Sequence, residues 1–215
     1  NALESDPSPR ADTLVEPEIE SAFERLRELD EHHLTRLDEV QDDFEAQTKL
    51  VEREEVCRQR DEMAAIIGRC DAVAIAGGHV AVLLNRLRLF QLAPILASRP
   101  LFAWSAGAMA VTERVVVFHD NPPQGRGNAE VVARGLGLYA GVVVFPHAKR
   151  RLDLSEPARV ALLGRRFAPL TCVTLDEEAG LRFRRAQPME AFGPARLLTP
   201  DGQIVDAAGP IGGAS

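Results

Sequence analysis

This chain is poor in cysteine, aromatic residues and positive charge, and it has no long apolar run. Its three cysteines, Cys57, Cys70 and Cys172, are odd in number, widely spaced and without a Cys-x-x-Cys pair. That excludes a disulfide framework and a zinc-ribbon site, and the expectation is reduced, partly buried thiols in a cytoplasmic protein. The net charge of −7 supplies no basic field to collect phosphates, so nucleic acid is not expected as a partner. No apolar stretch approaches the roughly 20 residues of a membrane span, and no signal-peptide core is present, so no membrane partner is expected either. Neither a metal nor a cofactor is expected. What remains, 46% apolar and 27% charged residues over 215 positions, fits a globular protein of one large domain or one domain with an appendage. The first residue is Asn1, so the expectation is a processed product or a fragment of a longer chain.

Residues 1–17 are rich in Pro, Ser, Asp and Glu and read as a flexible lead-in. From 18 to 69 the composition turns to Glu, Asp, Arg and Leu. Ile19, Phe23, Leu26, Leu29, His33, Leu37, Val40 and Phe44 recur at steps of three and four, which marks one stripe on a long helix, and a second helix is expected over about 50–67. The stripe needs a partner, either the core domain or a second copy of the chain, so a homo-oligomer through these helices is one expectation. After Cys70 the period changes. Asp71 to Gly78 is an apolar run ending in two glycines, expected as a parallel strand buried on both faces. A helix over 80–92, strands at 101–104 and 114–119, a helix at 129–134, a strand at 141–145, a helix at 156–167 and a strand at 170–175 follow. Short antiparallel strands with turns at Gly193-Pro194 and Asp201-Gly202 are expected over 180–205. The fold class expected is α/β: a parallel sheet flanked by helices over 70–208, preceded by the helical segment, with a frayed tail at 209–215. In such a sheet, ligand chemistry gathers at the carboxyl ends of the strands, where Gly77-Gly78, Ser105, Asp120 and His147 all fall.

Ser105 lies between an apolar run, Pro100 to Trp104, and the small residues Ala106-Gly107-Ala108. A strand that breaks sharply into a helix with a hydroxyl at the corner is the construction of a nucleophile elbow, and the first backbone N–H groups of that helix can hold an oxyanion. The usual first glycine is replaced by Ala103. A serine needs a base and a group that orients the base. Of the five histidines, His32 and His33 belong to the charged helix. His147, after an apolar strand and Pro146, is the candidate base or else a loop residue or helix cap; His119 is the reserve. Asp120 is the candidate orienting carboxylate or else a turn former ahead of Asn121-Pro122. The Gly77-Gly78-His79 turn, with Ala106, would supply oxyanion donors. Gln124, Arg126 and Asn128, on a Gly-spaced loop, are suited to a carboxylate or amide, and Arg150 and Arg151 could add positive charge.

Taken together, Ala76-Gly77-Gly78-His79, Ala103 to Ala108, His119-Asp120, Pro146-His147 and Thr174 to Ala179 resemble the S51 serine peptidases. These are the dipeptidase E and cyanophycinase relatives, with the class I glutamine amidotransferase-like fold. The resemblance covers about 70–185. It implies Ser105 as nucleophile, His147 as base, Asp120 as third member, Gly78 and Ala106 as oxyanion donors, and a structural or substrate-orienting role for Glu177. His79 stands where the family carries a small or amide side chain, which would place it at the substrate. Lys149-Arg150-Arg151 replaces the acidic and histidine residues that often follow the family's histidine. The family also places two or more α/β units before its Gly-Gly strand, where this chain has the helical segment. The function expected is hydrolysis of a peptide or amide, an acidic one by the cationic residues, through an acyl-enzyme on Ser105. The alternative is a catalytically inactive amidotransferase-like module that binds a ligand or partner. An active amidotransferase would need a cysteine at the elbow.

Overall fold

The computed structural model describes residues 9–118, 127–184, 187–207 and 209–211. The chain opens with a 40-residue helix, α1 (Pro9–Thr48), that begins inside the stretch expected as a lead-in. A 3₁₀ turn (Leu50–Glu52) and α2 (Glu54–Gly68) complete the helical segment. Then come β1 (Val73–Ile75), α3 (Val80–Leu89), α4 (Ala93–Leu96), β2 (Leu101–Ala103) and α5 (Ala106–Val111). Next are β3 (Arg114–Val117), β4 (Glu130–Arg134), β5 (Val142–Pro146), α6 (Ala148–Arg151), α7 (Pro157–Phe167) and β6 (Thr171–Leu175). Five short strands end the chain: β7 (Gly180–Arg182), β8 (Met189–Phe192), β9 (Arg196–Leu198), β10 (Ile204–Asp206) and β11 (Gly209–Ile211).

The architecture is mixed α/β. Among the described strands, β1 pairs in parallel with β2 and β5 with β6, and an isolated parallel bridge joins Thr112 to Tyr139. The order β10-β9-β6-β5 makes a four-stranded mixed sheet, β3 pairs antiparallel with β4, and β7, β8 and β11 form an antiparallel sheet. The single parallel sheet expected from strand–helix alternation is therefore divided, because the C-terminal hairpins return alongside β6. The segment at 129–134 is a strand, not a helix. Val131 and Val132 favour the pleat, and pairing with β3 supplies the hydrogen bonds that a short helix would have made internally. Gly209–Ile211 is paired with Ala191–Met189 and is not frayed.

Where the core sits follows from β5. All five of its residues are buried. Val142 and Val144 face one cluster with Ile75, Leu84, Met109 and Val173, while Val143 and Phe145 face another with Leu34, Phe118, Leu163 and Phe167. This is the period of two in a strand covered on both sides. β1 and β2 do not share that environment. Ala74 and Phe102 are exposed, so the run at 71–78 is not buried on both faces as expected. β1 is a three-residue strand paired with β2; Ile75 is buried in the core and Val73 packs half-buried against it.

The long helix docks by charge. Leu29, Val40 and Phe44 of the expected stripe remain 61%, 58% and 55% exposed. The buried residues of α1 are Leu34 and Asp30, one position round the helix. Asp30 receives two hydrogen bonds from Arg166 of α7, Nε to Oδ2 and Nη2 to Oδ1, both 2.7 Å. Arg166 Nη1 also donates to the Ala129 carbonyl, so both ions are well satisfied. Nearer the surface, Arg134 donates to Glu31 and, at 2.7 Å, to Asp38. Such exposed pairs are worth at most about 1 kcal/mol each, whereas removing one partner of a buried pair strands the other. Asp30→Ala should therefore cost about 3 kcal/mol or more in urea unfolding, and Asp30→Leu combined with Arg166→Met should cost clearly less. Equal losses in the two proteins would show that the pair does not anchor α1.

Candidate active site

β1 and β2 lie side by side, and the chain leaves β2 through Trp104 into α5. Ser105 is the residue at the break, with φ 54° and ψ −124°. A positive φ in a residue bearing a Cβ costs of order 1–3 kcal/mol and persists only where its surroundings fix it. The neighbours do so by being small. A Cβ added at Gly77 would lie 2.8 Å from Ser105 Cβ and 2.9 Å from its Oγ, and one at Gly107 would collide with the Ile75 carbonyl. The two glycines thus let the turn after β1 and the start of α5 close around the hydroxyl. Gly78, at φ 137°, keeps the first turn in a region that L side chains rarely adopt.

His147 arrives from β5. Its N–H continues the parallel ladder by donating to the Leu175 carbonyl at 3.0 Å, and it then bends into the left-handed region, φ 59°. That bend brings Nε2 to 3.2 Å from Ser105 Oγ, across 42 residues of sequence. Asp176, at the end of β6, is buried and accepts from the Lys149 N–H at 2.9 Å. Arg196 lies 3.5 Å from its other oxygen. Asp176 thus pins the short helix α6 that follows His147. Sequence reasoning passed over it, although a carboxylate in the Leu175-Asp176-Glu177 turn at a strand end was the signal available.

Of the remaining residues singled out from sequence, Ala106 is buried as the first residue of α5. Glu177 is exposed and lines the cavity beside Ser105. His79 is exposed at the start of α3 and is not part of that lining. Asn128, also outside it, accepts a hydrogen bond from Arg159 at 3.0 Å. His119, Asp120, Gln124 and Arg126 lie outside the described residues. Arg150 and Arg151 are exposed on α6 and do not line the cavity.

That cavity, of about 670 Å³, opens between β2 and β5, with both Ser105 and His147 in its wall. Most of the remaining wall is apolar, including Trp104, Tyr139, Phe183 and Phe192. Burial pushes the Tyr139 phenol above its usual range, so it stays neutral at physiological pH. The Cys172 thiol, inside β6, is pushed up to about 12 by burial and offers no competing nucleophile. Among the described residues, no group of three His, Cys, Asp or Glu side chains converges as a metal site would require.

The model of Peptidase family S51 matches residues 29–187, about three quarters of the chain. The chain belongs to peptidase family S51. It is also similar to a solved structure of a provisionally named peptidase E protein from Listeria monocytogenes EGD-e, with 13% identity and a TM-score of 0.42. That match covers 61% of this chain and spans under two thirds, 64%, of the other. No curated protein matches. Within this S51 chain, the backbone at Ser105 yields its own test. Ser105→Gly and Ser105→Ala both lose the hydroxyl, but only glycine relaxes the positive φ. The glycine protein should be more stable by about 1 kcal/mol in denaturant unfolding. Equal stabilities would show that the elbow carries no strain.

Proposed function

We propose that this chain is a serine hydrolase that cleaves a peptide or amide bond through an acyl-enzyme on Ser105. The observation that carries the reading is the 3.2 Å contact between Ser105 Oγ and His147 Nε2, made by two side chains whose backbones are both at positive φ. In this reading neutral His147 takes the hydroxyl proton as Oγ attacks the carbonyl carbon. The oxygen of the tetrahedral intermediate, now negative, lies against the backbone N–H groups of Gly78 and Ala106. The C–N bond breaks as His147 returns its proton to the leaving amine. Water then attacks the ester, His147 again takes the proton, and the acid departs as Ser105 regains its hydrogen. Asp120 is assigned to orient the imidazole, and Asp176, through Lys149, holds α6 in place behind it.

An acidic substrate was the expectation from the cationic residues of the sequence. Among the described residues of the cavity wall, the only Lys or Arg is Arg182, paired with Glu190 at 2.6 Å.

A fluorophosphonate probe tests the mechanism directly. Intact-mass analysis should show one adduct, located at Ser105 and absent in Ser105→Ala. His147→Gln should slow labelling by about 100-fold or more, since a positioned base contributes that much. Failure of Ser105 to label would leave the inactive binding module as the better description. Labelling that is indifferent to His147 would remove the proposed base.

A further inference from the structure

Among the described residues, the cavity beside Ser105 is walled largely by rings and aliphatic side chains. Its charged residues are Asp176, Glu177 and Arg182, besides His147. Asp176 is engaged by the Lys149 N–H and Arg196, and Arg182 donates to Glu190 through both Nε and Nη2. Among the described residues, the one cation in the wall is thus already paired. The apolar side is the reverse. The chain has eleven aromatic residues, and five of them, Phe102, Trp104, Tyr139, Phe183 and Phe192, line this one space, including its only Trp and only Tyr. Tyr139 and Phe183 are stacked with centroids 4.6 Å apart, giving a rigid wall. Phe102, Trp104 and Phe192 remain 63%, 52% and 53% exposed. Large aromatic surface left open around a cavity marks a place where apolar ligand surface is buried.

We infer that this cavity receives an aromatic or large aliphatic side chain flanking the scissile amide. The inference rests on Ser105 and His147 being the reaction centre. It adds that specificity comes from Phe102, Trp104, Phe183 and Phe192 and not from the cations of α6.

Trp104, as the sole tryptophan, reports on its own pocket. With turnover blocked by Ser105→Ala, N-acetylphenylalaninamide and N-acetylaspartic acid α-amide, which keeps its side-chain carboxylate, are titrated against tryptophan fluorescence. The phenylalanine probe should give a saturable change with a dissociation constant at least about tenfold below that of the aspartate probe, as expected when one side chain is buried and the other finds no partner. Phe192→Ala and Phe102→Ala, both at exposed positions and checked for folding by circular dichroism, should each weaken the phenylalanine probe several-fold. Equal or tighter binding of the aspartate probe overturns the inference. So does the absence of a saturable change with either probe, or binding indifferent to both substitutions. Fluorophosphonate labelling of the wild-type protein separates the two claims. Labelling without apolar preference removes only the specificity, whereas apolar binding without labelling removes the hydrolase chemistry and leaves the pocket.

Discussion

The structure around the site depends on a close crossing that only hydrogen atoms can fill. Gly77 and Gly107 face Ser105 and the carbonyls of β1 at distances no Cβ tolerates. Because of this, α5 begins directly above the β1–β2 pair, and the hydroxyl is held on a backbone turn that a single strand and helix would not adopt unaided. The strain at Ser105 is offset by the packing of α5, all six residues of which are buried. A local conformation that costs energy is thereby fixed by contacts that release it, and its side chain can point only one way.

β5 supplies the complementary constraint. A strand buried on both faces has no freedom to slide, because a slip of one residue would exchange its two hydrophobic sets. Its register with β6 places His147 beside Leu175, and the buried carboxylate of Asp176, one residue further on, ties down the turn after it. Ser105 and His147 thus meet as the ends of two independently fixed elements, with the cavity between β2 and β5 left where no strand pairing bridges them. The meeting of the two side chains follows from the placement of both backbones, and neither residue needs the other to be held.

Much of this was legible in the residues themselves. Small residues on both sides of a serine after an apolar strand, and a histidine after a second such strand, state the elbow and its partner in local terms. The apolar run at 141–145 likewise announced a strand, although burial on both faces, expected for 71–78, is found here instead. The helix α1 was legible as a helix but not in its orientation. Of the periodic stripe, Phe23, Leu26 and Leu37 are half-buried but Leu29, Val40 and Phe44 are exposed, while the buried contact is made by Asp30 and Leu34, and an ion pair across 136 residues leaves no periodic trace. The 129–134 strand was misread for a similar reason, since its partner β3 lies beyond any local window. The aromatic cavity was hidden because its walls come from β2, the Tyr139 loop, β7 and β8, which are separate in sequence. Scarcity was the one available hint: a chain with so few rings had gathered nearly half of them near one hydroxyl.

Those apolar walls bear on the chemistry as well as on what binds. A serine–imidazole pair in open water gains little from its hydrogen bond, because solvent competes for both atoms. Beside aromatic and aliphatic surface, an apolar substrate side chain would displace that water, and every electrostatic contact at the reaction centre would strengthen as the local dielectric falls. The negative charge that forms on the oxyanion would then be met by fixed N–H dipoles at the start of α5, without the cost of reorganising solvent. In that arrangement the binding of the side chain and the activation of the hydroxyl are one event.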